Sequence, residues 1–449
     1  MRRVAVIGSG ISGLSVAHGL ASSARVSLFE AGSYFGGHTH TVDVTVSALV
    51  NGESKTVTHG VDTGFLVFNE RTYPELIRLF DELQVATAAS EMSFSVQVPD
   101  IDMEWSGCDL NTVFAQRRNL VKPGFWRMLK DMLRFNKICT ALALQHQEET
   151  LQQPIADFLT QHRFSTEFRD WYFLPMIGCI WSCPTDQMLR FPIATMIRFC
   201  YNHGLMQITR RPRWYTVTGG AKHYVDKMLK CIPDARLNTP VRAVRRDSRR
   251  TARSLFGDPV GVWISTDRGT EHFDEVVFAC HSDQALALLT DASMAERDVL
   301  GAIRFHPNRA VLHTDTALLP KRKLAWAAWN YERASLGPRE QTSVCLHYLL
   351  NRLQPLPFDT PVLVSLNPLT EPKAHTIQGE YHYAHPVFDM AAIAAQKRVP
   401  ELQGSNRTWF CGAWTRYGFH EDGLMSGLAV VSALQRQWER VALPEKAVA

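Results

Sequence analysis

The feature that most restricts the fold lies in the first thirty residues. Val4-Ala5-Val6-Ile7 is a short apolar run, read as a buried parallel strand, and it leads directly into Gly8-Ser9-Gly10-Ile11-Ser12-Gly13. Leu14 to Leu20 can continue as a helix. In the order strand, Gly-x-Gly-x-x-Gly, helix, each glycine has a role: Gly8 permits the tight turn, Gly10 lets a pyrophosphate approach the backbone, and Gly13 lets helix and strand pack closely. The N–H groups of Ile11 and Ser12 open the helix and offer phosphates a positive dipole end. A second strand, 25 to 29, then delivers Glu30, twenty residues after Gly10, where a carboxylate accepts from both ribose hydroxyls and disfavours a 2′-phosphate. The combination predicts a dinucleotide-binding domain.

At 449 residues the chain has length for about three domain-sized units or two large ones. With 45% apolar and 20% charged residues it reads as an ordinary globular protein, and a net charge of +4 makes no whole-molecule case for nucleic acid. Nine cysteines without a regular framework fit a reducing compartment. Three residues separate Cys179 from Cys183, which is not structural-zinc spacing, and no metal is expected. The apolar run after the two N-terminal arginines meets glycine too soon for a signal peptide, and no run reaches membrane-spanning length. The expected location is the cytoplasm.

The same turn binds FAD or NAD, so the choice rests on later segments. Directly after Glu30 comes Ala31-Gly32-Ser33-Tyr34-Phe35-Gly36-Gly37-His38. Here the chain resembles the flavin-containing amine oxidase and phytoene desaturase superfamily, in which a Gly-Gly pair follows the acidic residue and passes close to FAD. The resemblance implies that Ala31, Gly36, Gly37 and His38 lie at the cofactor, with His38 where the family usually has arginine. It continues through Val61-Asp62-Thr63-Gly64-Phe65, adding Gly64 and Phe65, and through Pro240 to Val244, where Val241 matches the valine whose backbone meets adenine. Near the C-terminus, Trp409 to Trp414 and His420 to Gly427 look like the second FAD motif. A strand ends at Gly412, and a helix beginning near Gly423, with Asp422 and Leu424 beside it, can point N–H groups at the flavin N1 and C2 carbonyl. The family's covalent members carry cysteine where Thr415 stands, so non-covalent FAD is expected.

The implied fold is α/β: a Rossmann-like FAD-binding domain from 1–85, 214–291 and 402–449, with an inserted mixed α+β substrate domain from 86–213 and 292–401. Segments around Phe173 to Ser182, Leu349 to Gln354, Tyr381 to Phe388 and Gly418 to Gly423 are similar to a narrower group. These are bacterial FAD proteins associated with cyclopropane fatty acid synthases, resembling the flavin domain fused to plant forms of those enzymes. This resemblance implies a FAD-dependent oxidoreductase that desaturates an unsaturated or methyl-modified acyl lipid, and a cyclopropane-synthase-like methyltransferase as partner. An amine oxidase releasing imine and hydrogen peroxide is the alternative, and a non-catalytic flavin-loaded partner that presents lipids to a methyltransferase is a third.

An acyl chain needs a dry tunnel, for which Phe173, Met176, Ile177, Trp181, Phe191, Phe199, Trp326 and Trp329 are candidate walls. An amine would want an aromatic cage, for which Tyr381, Tyr383, Trp414 and Tyr417 are the candidates. For proton chemistry His420, Glu421 and His382 are the expected catalytic residues, His420 standing next to the predicted flavin-contacting turn. Lys122 to Gln145 interleaves large apolar residues with Arg127, Lys130, Arg134 and Lys137, a pattern that fits either peripheral contact with an anionic bilayer or a core-packed helix with a basic outer face.

Overall fold

The computed structural model describes residues 1–50, 53–207, 211–247, 261–333 and 344–442. The expected domain ranges also take in 51–52, 208–210, 248–260, 334–343 and 443–449, which lie outside the described residues.

The N-terminal strand Arg2–Ile7 sits at the centre of a five-stranded parallel sheet, ordered Asp234–Arg236, Ala24–Phe29, Arg2–Ile7, Glu275–Phe278, Thr408–Phe410. Val4, Ala5 and Val6 are fully buried, which accounts for a run with no polar alternation: a central parallel strand is covered on both faces. Helix Ile11–Leu20 follows the glycine turn and packs against the C-terminal helix His420–Ala442. Small residues set that approach. A Cβ on Gly427 would lie 2.6 Å from the Ser12 carbonyl oxygen, and one on Gly423 would lie 2.8 Å from Ile11 Cγ2.

Strands Val241–Arg246, Val262–Thr266 and Gly269–Phe273 form a separate antiparallel sheet beside the parallel one. The third large unit is a seven-stranded sheet, ordered Ile377–Val387, Arg304–His313, Leu363–Leu366, Cys345–Leu349, Trp329–Glu332, Phe94–Val98, Met103–Ser106. Its pairings are antiparallel except for the parallel match of Trp329–Glu332 with Phe94–Val98. Helices Pro123–Leu144, Ile155–Gln161, Leu174–Trp181 and Ile193–Asn202 share its core through Phe125, Phe135, Phe158, Ile177 and Phe199. The fold is therefore mixed α/β with a Rossmann-like domain, as the sequence predicts.

Three segments pack differently from the expected division. Helices Met294–Gly301 and Met390–Leu402 join the core beside the parallel sheet, because Ala392, Ala395, Val399 and Leu402 recur at helical spacing and cover Phe278 and Phe410. The hairpin Thr41–Val50 with Glu53–Asp62 contributes Val44, Val46 and Val61 to the core of the seven-stranded unit.

Candidate active site

In an open parallel sheet the loops at the carboxyl ends of the strands form the ligand crevice. Here Ile7 and Gly8, Phe29 and Glu30, Ala279 and Cys280, and Gly412 come from the ends of four parallel strands, and all of them line one cavity of about 2110 Å³. Ordinary ligand pockets hold roughly 300–1,000 Å³, so this one has room for a dinucleotide and a second ligand together.

The nucleotide end is cut to fit a phosphate-bearing group. Gly8 holds φ +102°, and a Cβ there would stand 2.8 Å from the Ala279 carbonyl oxygen. Around the Cα of Gly10 there is open space: a Cβ would meet nothing within 4 Å and would instead fill the cradle. No side chain caps the start of helix Ile11–Leu20, and its first turn carries no acid, so its N–H groups remain directed at a ligand. The Gly36-Gly37 loop crosses against Gly10 through a bridge between Gly10 and Gly36. Glu30 accepts from Ser9 N at 2.9 Å and Ser9 Oγ at 2.5 Å with one oxygen, and from Gly32 N at 2.8 Å with the other. Two carboxylate oxygens offer about four acceptor sites, so capacity remains for a ribose.

Of the residues expected at the cofactor, Gly8, Gly10, Ile11, Ser12, Glu30, Ala31, Gly36, Gly37, His38, Gly64, Phe65, Val241 and Gly412 line the cavity. Gly13, Asp422, Gly423 and Leu424 do not. Gly13 sits beneath the turn, where a Cβ would stand 1.8 Å from the Gly8 carbonyl oxygen. The C-terminal helix begins at His420, earlier than expected, so Gly423 faces Ile11 rather than the cavity. The Asp422 carboxylate accepts from Phe419 N at 3.0 Å, and burial pushes its pKa up to about 6.

The three expected catalytic residues separate. His420 lines the cavity, stacked on Phe65 with ring centroids 3.9 Å apart, and its Nε2 lies 2.7 Å from the Tyr224 hydroxyl. Burial drives its pKa down to about 3, so the imidazole is neutral. Glu421 is displaced from the chemistry: its carboxylate accepts from Glu75 N at 2.8 Å and Leu76 N at 2.9 Å, capping the helix Pro74–Glu82. His382 is corrected as well. On a strand whose side chains alternate, it points outward with its side chain 76% exposed, 3.6 Å from Glu380, while Tyr383 and His385 line the cavity.

Around His38 the chain gathers groups that local sequence could not join. His38 is half-buried, with ring centroids 5.0 Å from Tyr383 and 5.3 Å from His385, and its Nε2 has no hydrogen-bond partner among the described residues. His38 lines the cavity, although Nε2 itself is shielded from it. Burial, reinforced by His385, His281 and His420, holds its pKa far below the usual imidazole value. The Tyr383 hydroxyl lies 2.7 Å from Thr63 Oγ1, and His385 Nδ1 lies 3.0 Å from Asn308 Nδ2, which donates to it. Sequence reasoning missed His281, although its place just beyond strand Glu275–Phe278 is the strand-end position where a ligand site is expected.

Beyond this cluster the cavity becomes apolar. Met176, Trp181, Phe199 and Trp329 line it as expected, joined by Trp105, Phe114, Leu129, Met132 and Tyr348. Phe173, Ile177 and Phe191 are core residues instead, and Trp326 lies in a small satellite cluster, donating to the Pro320 carbonyl. Of the cage candidates, Tyr383, Trp414 and Tyr417 line the cavity and Tyr381 does not. Among the described residues the acids in its wall are Glu30 and Asp109.

The sequence profile of an NAD(P)-binding Rossmann-like domain matches residues 6–83. No curated protein sequence matches the chain. Among solved structures, cyclohexylamine oxidase from Brevibacterium oxydans IH-35A is 15% identical, covering 98% of this chain and 100% of its own, with a TM-score of 0.70. A CLA-producing fatty acid isomerase from P. acnes is 14% identical, covering 97% and 98%, with a TM-score of 0.66. Putrescine oxidase bound to putrescine is 15% identical, covering 97% and 99%, also with a TM-score of 0.66. These likenesses run the length of the chain and show a shared fold.

Proposed function

We propose that this protein is a FAD-dependent oxidoreductase that removes two hydrogens from the acyl chain of a lipid, leaving a double bond in an unsaturated or methyl-modified chain. One observation carries the reading: a single cavity joins the glycine turn to a largely apolar wall in which, among the described residues, Glu30 and Asp109 are the acids. The residues present fit FAD. The uncapped helix N-terminus at Ile11 and Ser12 suits the pyrophosphate, Glu30 the ribose and Val241 the adenine end. No cysteine stands at position 415, so the flavin is held without a covalent bond.

When bound, FAD supplies the two-electron acceptor for a hydride leaving one carbon of the substrate. The protein's part is to bind, orient and keep dry. Trp181, Phe199, Trp329 and Tyr348 wall an apolar slot in which an acyl chain lies extended and water is excluded. The proton from the neighbouring carbon needs a base, and the imidazoles His38, His385 and His420 all line the cavity.

Amine oxidation is the second reading, supported by the fold shared with cyclohexylamine and putrescine oxidases and by Tyr383, Trp414 and Tyr417 in the cavity wall. Against it stands the chemistry of the pocket, since a substrate ammonium there would be desolvated with no buried acid to pair it. The methyltransferase association rests on sequence resemblance alone. Product analysis tests the proposal: lipid extracts incubated with the holoprotein should yield an acyl chain two mass units lighter. Unchanged lipid, with imine-derived aldehyde from an amine panel instead, would overturn it.

A further inference from the structure

Half of the large apolar side chains exposed among the described residues fall in one stretch: Leu110, Leu120, Val121, Trp126, Leu133 and Leu144. On the helix Pro123–Leu144 they are ordered with cations. Trp126, Lys130, Leu133, Lys137 and Leu144 follow at steps of four, three, four and seven, which places them on a single line of the helix surface. The opposite face, with Phe125, Met128, Phe135 and Cys139, is buried in the core. The segment therefore packs on the core and presents an apolar and basic stripe outward.

The stripe also borders the cavity. Leu110, Trp126, Lys130 and Leu133 are exposed to solvent and line the cavity wall, so they form its mouth. The charges there are arranged for an outside partner. Arg127 is bound by Glu167 at 2.5 Å, and Arg134 by Asp131 at 3.3 Å, while Asp109 accepts from Thr112 N. Lys130 and Lys137 carry no ion pair among the described residues. Seven basic residues stand against two acidic ones between 109 and 145. No helix among the described residues is long and apolar enough to cross a membrane, so contact would lie on a surface.

We propose that this mouth docks on an anionic phospholipid bilayer, and that an acyl chain slides from the bilayer into the cavity between Leu110, Trp126 and Leu133. The inference rests on the acyl-lipid reading of the cavity. Alternating Trp or Leu with Lys along one line suits a headgroup boundary: the apolar side chains enter it and the lysine stems lie flat with their ammonium groups at the phosphates. A protein partner on the same stripe would plug the cavity, whereas a bilayer extends the apolar path inward.

The test is co-sedimentation of the holoprotein with phosphatidylcholine vesicles, with and without phosphatidylglycerol. Anionic vesicles should recruit it, added salt should weaken recruitment, and neutral vesicles should recruit it poorly. K130Q/K137Q should weaken partitioning by roughly thirtyfold, taking ~1 kcal/mol per lysine. W126S/L133S should weaken it at both salt concentrations, with retained FAD reporting the fold. Recruitment that is equal for wild type and both variants, or no recruitment, overturns the inference. Binding involves no turnover, so vesicles that recruit the protein without reducing its flavin would leave the docking surface standing and remove the lipid as substrate.

Discussion

Glu30 illustrates how a single side chain serves architecture and ligand together. Its carboxylate fixes the Ser9 and Gly32 amides, which hold the glycine turn in shape, and the free lone pairs are left for a ribose. Glu30→Ala should weaken FAD retention by about 1.5–3 kcal/mol, the range for a lost charged hydrogen bond, read as a dissociation constant by fluorescence. Unchanged retention would remove Glu30 from the ribose role. His420 makes a different prediction. Its ring lies on Phe65 and is tied to Tyr224, and Tyr224 in turn is 2.5 Å from Thr39 Oγ1. His420→Ala should slow flavin reduction by an acyl lipid while FAD stays bound. Reduction at the wild-type rate would make the histidine a wall and nothing more. The glycines and Glu30 were legible because a backbone turn imposes them. His38, His281 and His385 were not legible as a group, because segments more than a hundred residues apart in the chain bring them together.

At the scale of elements, the contact between helices Ile11–Leu20 and His420–Ala442 aligns the glycine turn with the second motif. Its closeness depends on Gly427, where a Cβ would stand 2.6 Å from a backbone oxygen that cannot rotate away. Gly427→Ala should destabilise by about 1–3 kcal/mol, as overpacking does, and loosen FAD; thermal unfolding with and without added FAD measures both. An unchanged melting temperature would show that the helices can separate at little cost. The sequence placed this helix start near Gly423, whereas it lies at His420, because Glu421 and Asp422 act as acceptors for neighbouring backbone N–H groups and are not loop residues at the cofactor. Which face of the Pro123–Leu144 stripe met solvent could be known only once the core was built.

Across the whole molecule, buried titratable groups set the response to pH. His203, His313 and His385 have pKa values near about 4 and His420 near about 3, all lowered by burial. Unfolded imidazoles take protons as the pH falls through about 6.5 while these stay neutral, so the unfolded state binds more protons and stability drops from pH 6.5 towards 4. Asp62 and Asp422, raised to about 6, act in the opposite sense: the folded state keeps protons there that the unfolded state releases near 3.8. Four groups outweigh two. The melting temperature of the holoprotein should be lower at pH 5 than at pH 7, and an equal or higher value would mean that these histidines are not buried and neutral.

The overall architecture was legible through its motifs, which recur at the start, middle and end of the chain. The interleaving was less so, since Met390–Leu402 covers the parallel sheet from inside a stretch assigned to the substrate unit. The substrate is the central claim, and anaerobic mixing tests it most directly. Holoprotein is combined under argon with unsaturated or methyl-branched phospholipid, or with a panel of primary amines, and the visible flavin band is followed. The account predicts bleaching by the lipid and a persistent yellow colour with the amines; bleaching by an amine while every lipid leaves the flavin oxidised would contradict it.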